Sequence, residues 1–513
     1  MAIIGALIKR GIKFGTRLNN LRNNDIRAAQ RDTLRRLIKA AQYTAFGKAY
    51  NFKKILQYHE LDAAFRQEVP SHDYNAMYAQ WWHRTVAQEP NVCWHGIVDH
   101  FALSSGTSGA PSKYIPITPE MTRSMQIASR KAFFSLCRYD LPPSVFEKGM
   151  MMVGGSADLH FENGFYSGDL SGINATRVPY WMRQYYAPGV EIAKISDWNT
   201  RMDAIAHKAH TWDIGFMTGI PSWLQLMMER VIERYKLNTI HDIWPHFEVY
   251  VSGGIALGPY KKSMQRLFAK PVTFIDTYLA SEGFIAFQNR PDAHEHAMAL
   301  IGNNGIYFEF VPFNEKNFDV DGNLKSNHEV LSIGEVQTGI DYALLLTTCA
   351  GAWRYLIGDT IRFSDILLGE IHITGRTKHF LSITGEHLSV DNMNRAIQLT
   401  ADDFGVTVRE FTVAALPTTP GHFEHRWYVG CEPHVDRILF KERLDNYLKA
   451  INDDYRTERA AFLGLKLETI PLVYFYEFQA KHARLDGQAK FPRVMNAEKF
   501  RVWENFVAQR KEE

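Results

Sequence analysis

An α/β fold is what this 513-residue sequence predicts. Helix-period apolar patterns alternate with short β-rich runs, several of those runs end in glycines or polar turns, and no internal repeat or low-complexity tract breaks the alternation. The chain is longer than one hydrophobic core can serve, so at least two domains are expected.

The opening segment, "MAIIGALIKRGIKFGTRLNN", sets its apolar run ahead of its basic residues, the reverse of a secretory signal, and is too short to span a bilayer. With no acidic residue before Asp25 it reads as a docked first helix, a membrane-surface helix and a transit peptide being the alternatives. Next, "LSSGTSGAPSKYIP" at 103–116 is a loop leading through a short strand into a helix. That helix has Thr118 as N-cap and Pro119 and Glu120 in its first turn, with Met121, Met125, Ala128, Ala132 and Leu136 on one face.

Farther on, "FEVYVSGG" reads as a strand, "PYKKSMQRLFA" as a helix and "PVTFIDTYLASEG" as a strand running into a polar turn. From Gly305 to Phe363 the runs "GIYFEFVPF", "EVLSIGEVQT", "YALLLTTC" and "RYLIGDTIRF" predict a distorted β-barrel or small sheet. Beyond Lys378 come "FLSIT" (strand), "SVDNMNRAIQLTADDF" (helix), "VREFTVAAL" and "HRWYVGCE" (strands), "ILFKERLDNYLKAINDDY" (helix) and "LVYFYEF" (strand). This order is that of a small α+β unit, so the expected domains are 1–377 and 378–513.

Near balance of 58 basic and 56 acidic residues argues against a broad nucleic-acid footprint. Four scattered cysteines without a C-x-x-C fit neither a disulfide framework nor a zinc site, and suit a reducing compartment. The expectation is a cytoplasmic monomer without an integral membrane segment. "HEH" at 294–296 lacks zincin spacing, and "DVDGN" at 319–323 is only part of a calcium loop, so both read as loops. The aromatic runs "WWH" at 81–83 and "MRQYY" at 182–186 read as core.

The serine- and glycine-rich stretch is where chemistry enters. Gly106 and Gly109 permit positive φ or a close ligand approach, and Ser104, Ser105, Thr107 and Ser108 add hydroxyls to backbone N–H groups, a set suited to an anion. Such a cluster alone is ordinary turn material, and neither a Walker spacing nor a G-x-S-x-G elbow is present, so corroboration must come from elsewhere. It comes from "SGG" at 252–254, "TYLASE" at 277–282, "RYLIGD" at 354–359 followed by "GRTK" at 375–378, and "QAKFPR" at 488–493. In order and separation this set resembles the motifs of acyl-adenylate-forming enzymes. It is most similar to the plant auxin and jasmonate acyl-acid amido synthetases and their bacterial relatives, a resemblance reaching from about Tyr43 to Arg493. Lys113 follows the amido-synthetase spacing.

That resemblance implies a large N-terminal adenylate-forming domain of mixed sheets and a distorted barrel flanked by helices, with a small mobile C-terminal lid. It implies ATP and Mg²⁺, a small carboxylic acid and an amino acid acceptor. Ser104, Ser105, Gly106, Thr107 and Ser108, with Lys113, would cradle the β- and γ-phosphates. Tyr278 would stack on adenine beside Gly253 and Gly254, with Ser281 in the same motif, and Glu282 would hold the metal. Asp359 offers two oxygens to the ribose hydroxyls, Arg376 a donor fork to ribose or α-phosphate, and Lys378 lies at the domain pivot. Lys490 would bring a positive charge to the forming acyl-adenylate.

Two departures stand out: His387 occupies the place of a lysine in plant members, and "YLASE" replaces Y-A-S-S-E. "MMVGG" at 151–155 and "GIPSW" at 219–223 are expected to help line the acyl pocket by analogy. The expected reaction is adenylation followed by amide formation. The rivals are a thioester ligase using coenzyme A or a carrier thiol, and a non-catalytic nucleotide-binding protein.

Overall fold

The computed structural model describes residues 9–11, 25–104, 113–178, 180–254, 257–293, 297–319, 322–377, 381, 388, 390–419, 422–431, 435–452, 455, 459, 463–482 and 491–512. Most of the opening segment and the "HEH" motif lie outside them.

Eleven strands form one sheet with a parallel and an antiparallel half. Gly149–Val153, Ile214–Gly219, Val249–Gly253 and Thr273–Ala280 run parallel, with the helices Trp198–Lys208, Pro221–Tyr235 and Gly258–Gln265 in the connections. Strand alternation sends Met217 and Tyr250 into a core shared with Met227, Met228 and Trp244, whereas Phe216, Val249 and Ile275 pack with Phe146 in another. Covering both faces in this way is what a parallel sheet requires. It also leaves only the strand ends free to carry a site.

Thr273–Ala280 is the change-over strand: parallel to Val249–Gly253 on one side, antiparallel to Gly283–Phe287 on the other. The strands Ile306–Pro312, Asp341–Thr348, Tyr355–Asp365 and Glu370–Arg376 then follow as an antiparallel meander. The strand-rich stretch predicted as a barrel or small sheet is thus a wing of the large sheet, its recorded pairings running in one open order. Three register shifts bend it, at Ala343/Leu345, Thr360/Ile361 and Phe363/Asp365. "EVLSIGEVQT" is not a strand. Only Leu331 bridges to Phe310, because Ser332 turns the chain by donating its N–H and hydroxyl to Glu335.

A four-stranded sheet contains His100–Ser104 and Lys113–Pro116, paired so that Ser104 faces Lys113. The helix Pro119–Ser135 follows as expected: Thr118 caps the Met121 N–H, and Met121, Met125 and Ala128 are buried. Trp82 is core, as the "WWH" reading requires. "MRQYY" is not, since Met182 and Tyr185 lie exposed on a short 3₁₀ turn, and Tyr186 alone of that aromatic pair packs inward.

The last unit is a three-stranded sheet, Glu410–Thr419, His422–Gly430 and Leu463–Ile470. Val413, Trp427 and Val429 face the helices Val390–Asp403 and Arg437–Ile451, whereas Ala414 and Tyr428 face Leu472–His482 and Ala497–Glu512. "LVYFYEF", read as a strand, belongs to the helix Leu472–His482. Its apolar run suits either period, and the burial of Phe475 and Phe478 against Trp503, three residues apart, selects the helical one.

Candidate active site

The site forms where the parallel half meets the antiparallel half. Gly253 pairs with Thr277 across the two strands, and Thr277 donates its hydroxyl to the Ser252 carbonyl at 2.8 Å. A Cβ on Gly253 would stand 2.9 Å from that hydroxyl oxygen, and Gly254 has φ +86°, so both positions demand glycine. Beside them the change-over strand continues through Tyr278 to Ala280, which pairs with Gly283. Ser281 and Glu282 are therefore the two residues of a tight hairpin turn at a strand's carboxyl end.

Tyr278 is buried, and its hydroxyl donates to Asp359 Oδ2 at 2.6 Å. The other carboxylate oxygen of Asp359, Oδ1, takes Arg376 Nε at 2.8 Å, the two residues facing one another across paired strands. Asp359 is thus oriented from both sides, and each of its oxygens keeps a further lone pair. Burial and the Asp359 charge push the Tyr278 phenol well above its ordinary value, so it stays a donor. The Asp359 charge in turn raises Arg376.

Glu282 is 8% exposed, and its charge, after burial, raises the phenol of the buried Tyr355. Burial raises its carboxyl to about 7; its own backbone N–H counteracts this, Asp359 adds to it, and Lys113 and Arg376 oppose it. The Lys113 charge, at the end of the serine–glycine loop, acts on Glu282 and favours its ionised form. Lys113 also lies over the Tyr74 ring at 5.4 Å.

Fold and hydrogen bonding therefore bring together Lys113, Gly253, Gly254, Tyr278, Ser281, Glu282, Asp359 and Arg376. Ser104 is placed at the mouth of the loop, opposite Lys113. Ser105, Gly106, Thr107, Ser108, Lys378, His387 and Lys490 lie outside the described residues. The chain next to Lys490 is anchored: Phe491 is buried, Arg493 pairs with Glu410 at 2.7 Å, and Glu410 accepts the Tyr260 hydroxyl at 2.9 Å from the large sheet's helix layer. Tyr355 is a site residue that sequence reasoning missed, although it stands inside "RYLIGD". Nothing in the motif distinguishes a tyrosine that only packs from one whose phenol feels a carboxylate's charge.

The residues fit a magnesium nucleotide. Among the described residues no group of three or more His, Cys, Asp or Glu side chains forms a protein-only metal site. A single buried carboxyl at a strand end, next to a lysine-flanked loop, is the donor set expected when phosphate oxygens complete the shell.

Comparison with solved structures defines the class. Over 96% of this chain and 95% of the other, the fold matches a GH3.15 acyl acid amido synthetase with a TM-score of 0.76 at 16% identity. It also matches 2-hydroxyisobutyryl-CoA ligase in its postadenylation state, with a TM-score of 0.56 at 14% identity over 94% of this chain and 92% of that one. The architecture is that of adenylate-forming enzymes.

Within that class, the GH3 family N-terminal, central and C-terminal domains match residues 18–209, 299–376 and 391–499 in order, and the chain belongs to the GH3 family. Curated relatives include the indole-3-acetic acid-amido synthetases GH3.2 and GH3.4 of Arabidopsis thaliana. GH3.2 is 25% identical over 239 residues, covering 43% of each chain. GH3.4 is 27% identical over 259 residues, covering 48% of this chain and 40% of the relative. The matched segments thus span less than half the length of these relatives.

Proposed function

We propose that this protein is an ATP-dependent acyl-acid amido synthetase. The observation that carries the reading is the convergence of Lys113, Tyr278, Glu282, Asp359 and Arg376 on one glycine-edged strand end. In the first step a carboxylate oxygen of the acid attacks the α-phosphorus, and the bond to pyrophosphate breaks. In the second, an amino acid's amine attacks the acyl carbon, the bond to AMP breaks and the amine proton is released.

The described residues have tasks that their geometry supports; those of Ser105 to Ser108, Lys378 and Lys490 rest on the motifs they stand in. Asp359, held by Tyr278 and Arg376, presents its remaining lone pairs to the ribose hydroxyls. Gly253 and Gly254 let one face of the base approach backbone, and Tyr278 stacks on the other. Lys113 and the loop it closes, Ser104 to Ser108, neutralise the phosphates. Magnesium would be held on the protein side by Glu282, and it supplies charge neutralisation on the phosphates. Lys490 stabilises the forming mixed anhydride from the lid, residues 378–513, which pivots near Lys378 against residues 1–377.

No helix among the described residues is long and apolar enough to cross a membrane. The four cysteines are free, which supports a reducing, cytoplasmic setting. The test is acid-dependent pyrophosphate release from Mg·ATP across a panel of aryl and alkyl acids, followed by product mass spectrometry with amino acids and coenzyme A in competition. An amide product is expected. No acid-dependent release would refute the adenylation, and a thioester product would refute the acceptor.

A further inference from the structure

At the far edge of the parallel half, the helix Trp198–Lys208 carries Arg201 into the protein. The side chain is 3% exposed, and its Nε and Nη1 are buried without a hydrogen-bond partner. Its guanidinium lies 5.3 Å from the Trp198 ring centre. The two nearest carboxylates, Asp169 and Asp197, influence it electrostatically, yet among the described residues neither forms an ion pair with it. Both act as helix caps: Asp197 accepts from the Thr200 N–H and hydroxyl, and Asp169 from the Ser171 N–H and hydroxyl.

Arg201 lines a narrow cleft of about 10 Å³ with Met152, Gly154, Ser171, Met202 and Ile205, so a carboxylate must part its walls to enter. The glycine turn of the cleft is pinned, since the Gly155 N–H donates to Ser171 Oγ at 2.8 Å. Apart from the arginine the walls are largely apolar. A buried guanidinium facing such walls is costly unless an anion completes it, and its planar fork matches a carboxylate.

Position decides which carboxylate. Val153, just before the cleft, pairs with Gly219, Gly219 with Ser252, and Ser252 with Asp276. Three inter-strand steps place the cleft roughly 14 Å from the Tyr278 strand, on the same edge of the sheet. A carboxyl group held there cannot also lie at the α-phosphate. We propose that Arg201 binds a second carboxylate, borne either by the far end of the acid substrate or by the amino acid acceptor. The assignment rests on the reading of the Tyr278–Glu282 edge as the adenylation site, and it makes Arg201 a specificity residue.

The experiment is calorimetric titration of nucleotide-free protein, independent of any ATP chemistry. One arm uses straight-chain dicarboxylic acids of four to eight carbons against their monoamides. The other uses L-amino acids against their amides. Wild type is expected to prefer the carboxylate form in one arm, and that arm names the source. Arg201→Met should weaken carboxylate binding by at least tenfold while leaving the amide unchanged, and Arg201→Lys should restore part of the preference. Wild type with no preference in either arm overturns the proposal. So does an Arg201→Met protein that melts earlier but binds both forms as wild type does, since the guanidinium would then be structural, satisfied by water. Wild type that shows the carboxylate preference but no acid-dependent pyrophosphate release would instead fault the adenylation reading.

Discussion

The phenol of Tyr278 donates to Asp359 at 2.6 Å, linking the change-over strand to the antiparallel wing across the candidate nucleotide site. A hydrogen bond to an ionised group contributes about 1.5–3 kcal/mol. Tyr278→Phe should therefore raise the KM for ATP by roughly ten- to a hundredfold while the fold persists. Steady-state pyrophosphate release against ATP concentration measures this. An unchanged KM would mean that Arg376 alone orients Asp359.

Glu282 predicts a pH dependence of definite sign. Its carboxyl is raised to about 7, so the folded protein holds a proton there that the unfolded chain loses near the ordinary glutamate value. The stabilisation is complete below the unfolded value and disappears as pH climbs through about 7. Metal binding requires the ionised form, so Mg·ATP affinity should rise across the same window, with proton release on binding. Glu282→Gln should flatten both profiles, raise stability relative to wild type above pH 7, and slow adenylation by roughly two to three powers of ten. Melting temperatures and Mg·ATP titrations at pH 5.5 and 8 check the two signs.

The Arg493–Glu410 pair is partly sealed from water and is completed by Tyr260. Arg493→Ala leaves Glu410 buried with one partner and should destabilise the protein by about 3 kcal/mol, read from denaturant midpoints. Because Arg493 stands three residues after Lys490, the same change should slow pyrophosphate release more than it alters the KM for ATP. Equal effects on both would separate this anchor from the lysine.

Lys490→Ala should slow adenylation by roughly two to three powers of ten while leaving amide formation from a supplied acyl-adenylate within a few-fold of wild type. Single-turnover measurements of each half reaction distinguish this from a general loss of folding. A uniform loss in both would place the lysine outside the adenylation pose.

Much of the site was legible because its motifs are local. Gly253 and Gly254, Glu282 and Asp359 each stand in a short motif, and the expected roles of Glu282 and Asp359 come from the family resemblance those motifs carry. Tyr355 was not, because its role depends on a carboxyl group more than seventy positions earlier in the chain. Nor was the burial of the Tyr278 hydroxyl against Asp359. Nothing in the sequence singles out Arg201, because its burial depends on how its helix packs in the fold.

By itself the sequence determined the alternation of strands and helices, the capped helix after Thr118, and the residue types at the nucleotide edge, since periodicity, caps and turns are set by neighbours along the chain. Only the tertiary structure decided that the strands of 305–363 extend one eleven-stranded sheet, that "LVYFYEF" is helical, and that Glu282 is buried deeply enough to hold its proton near neutrality. Those outcomes depend on which surfaces exclude water together, and that is settled by contacts between segments far apart in sequence.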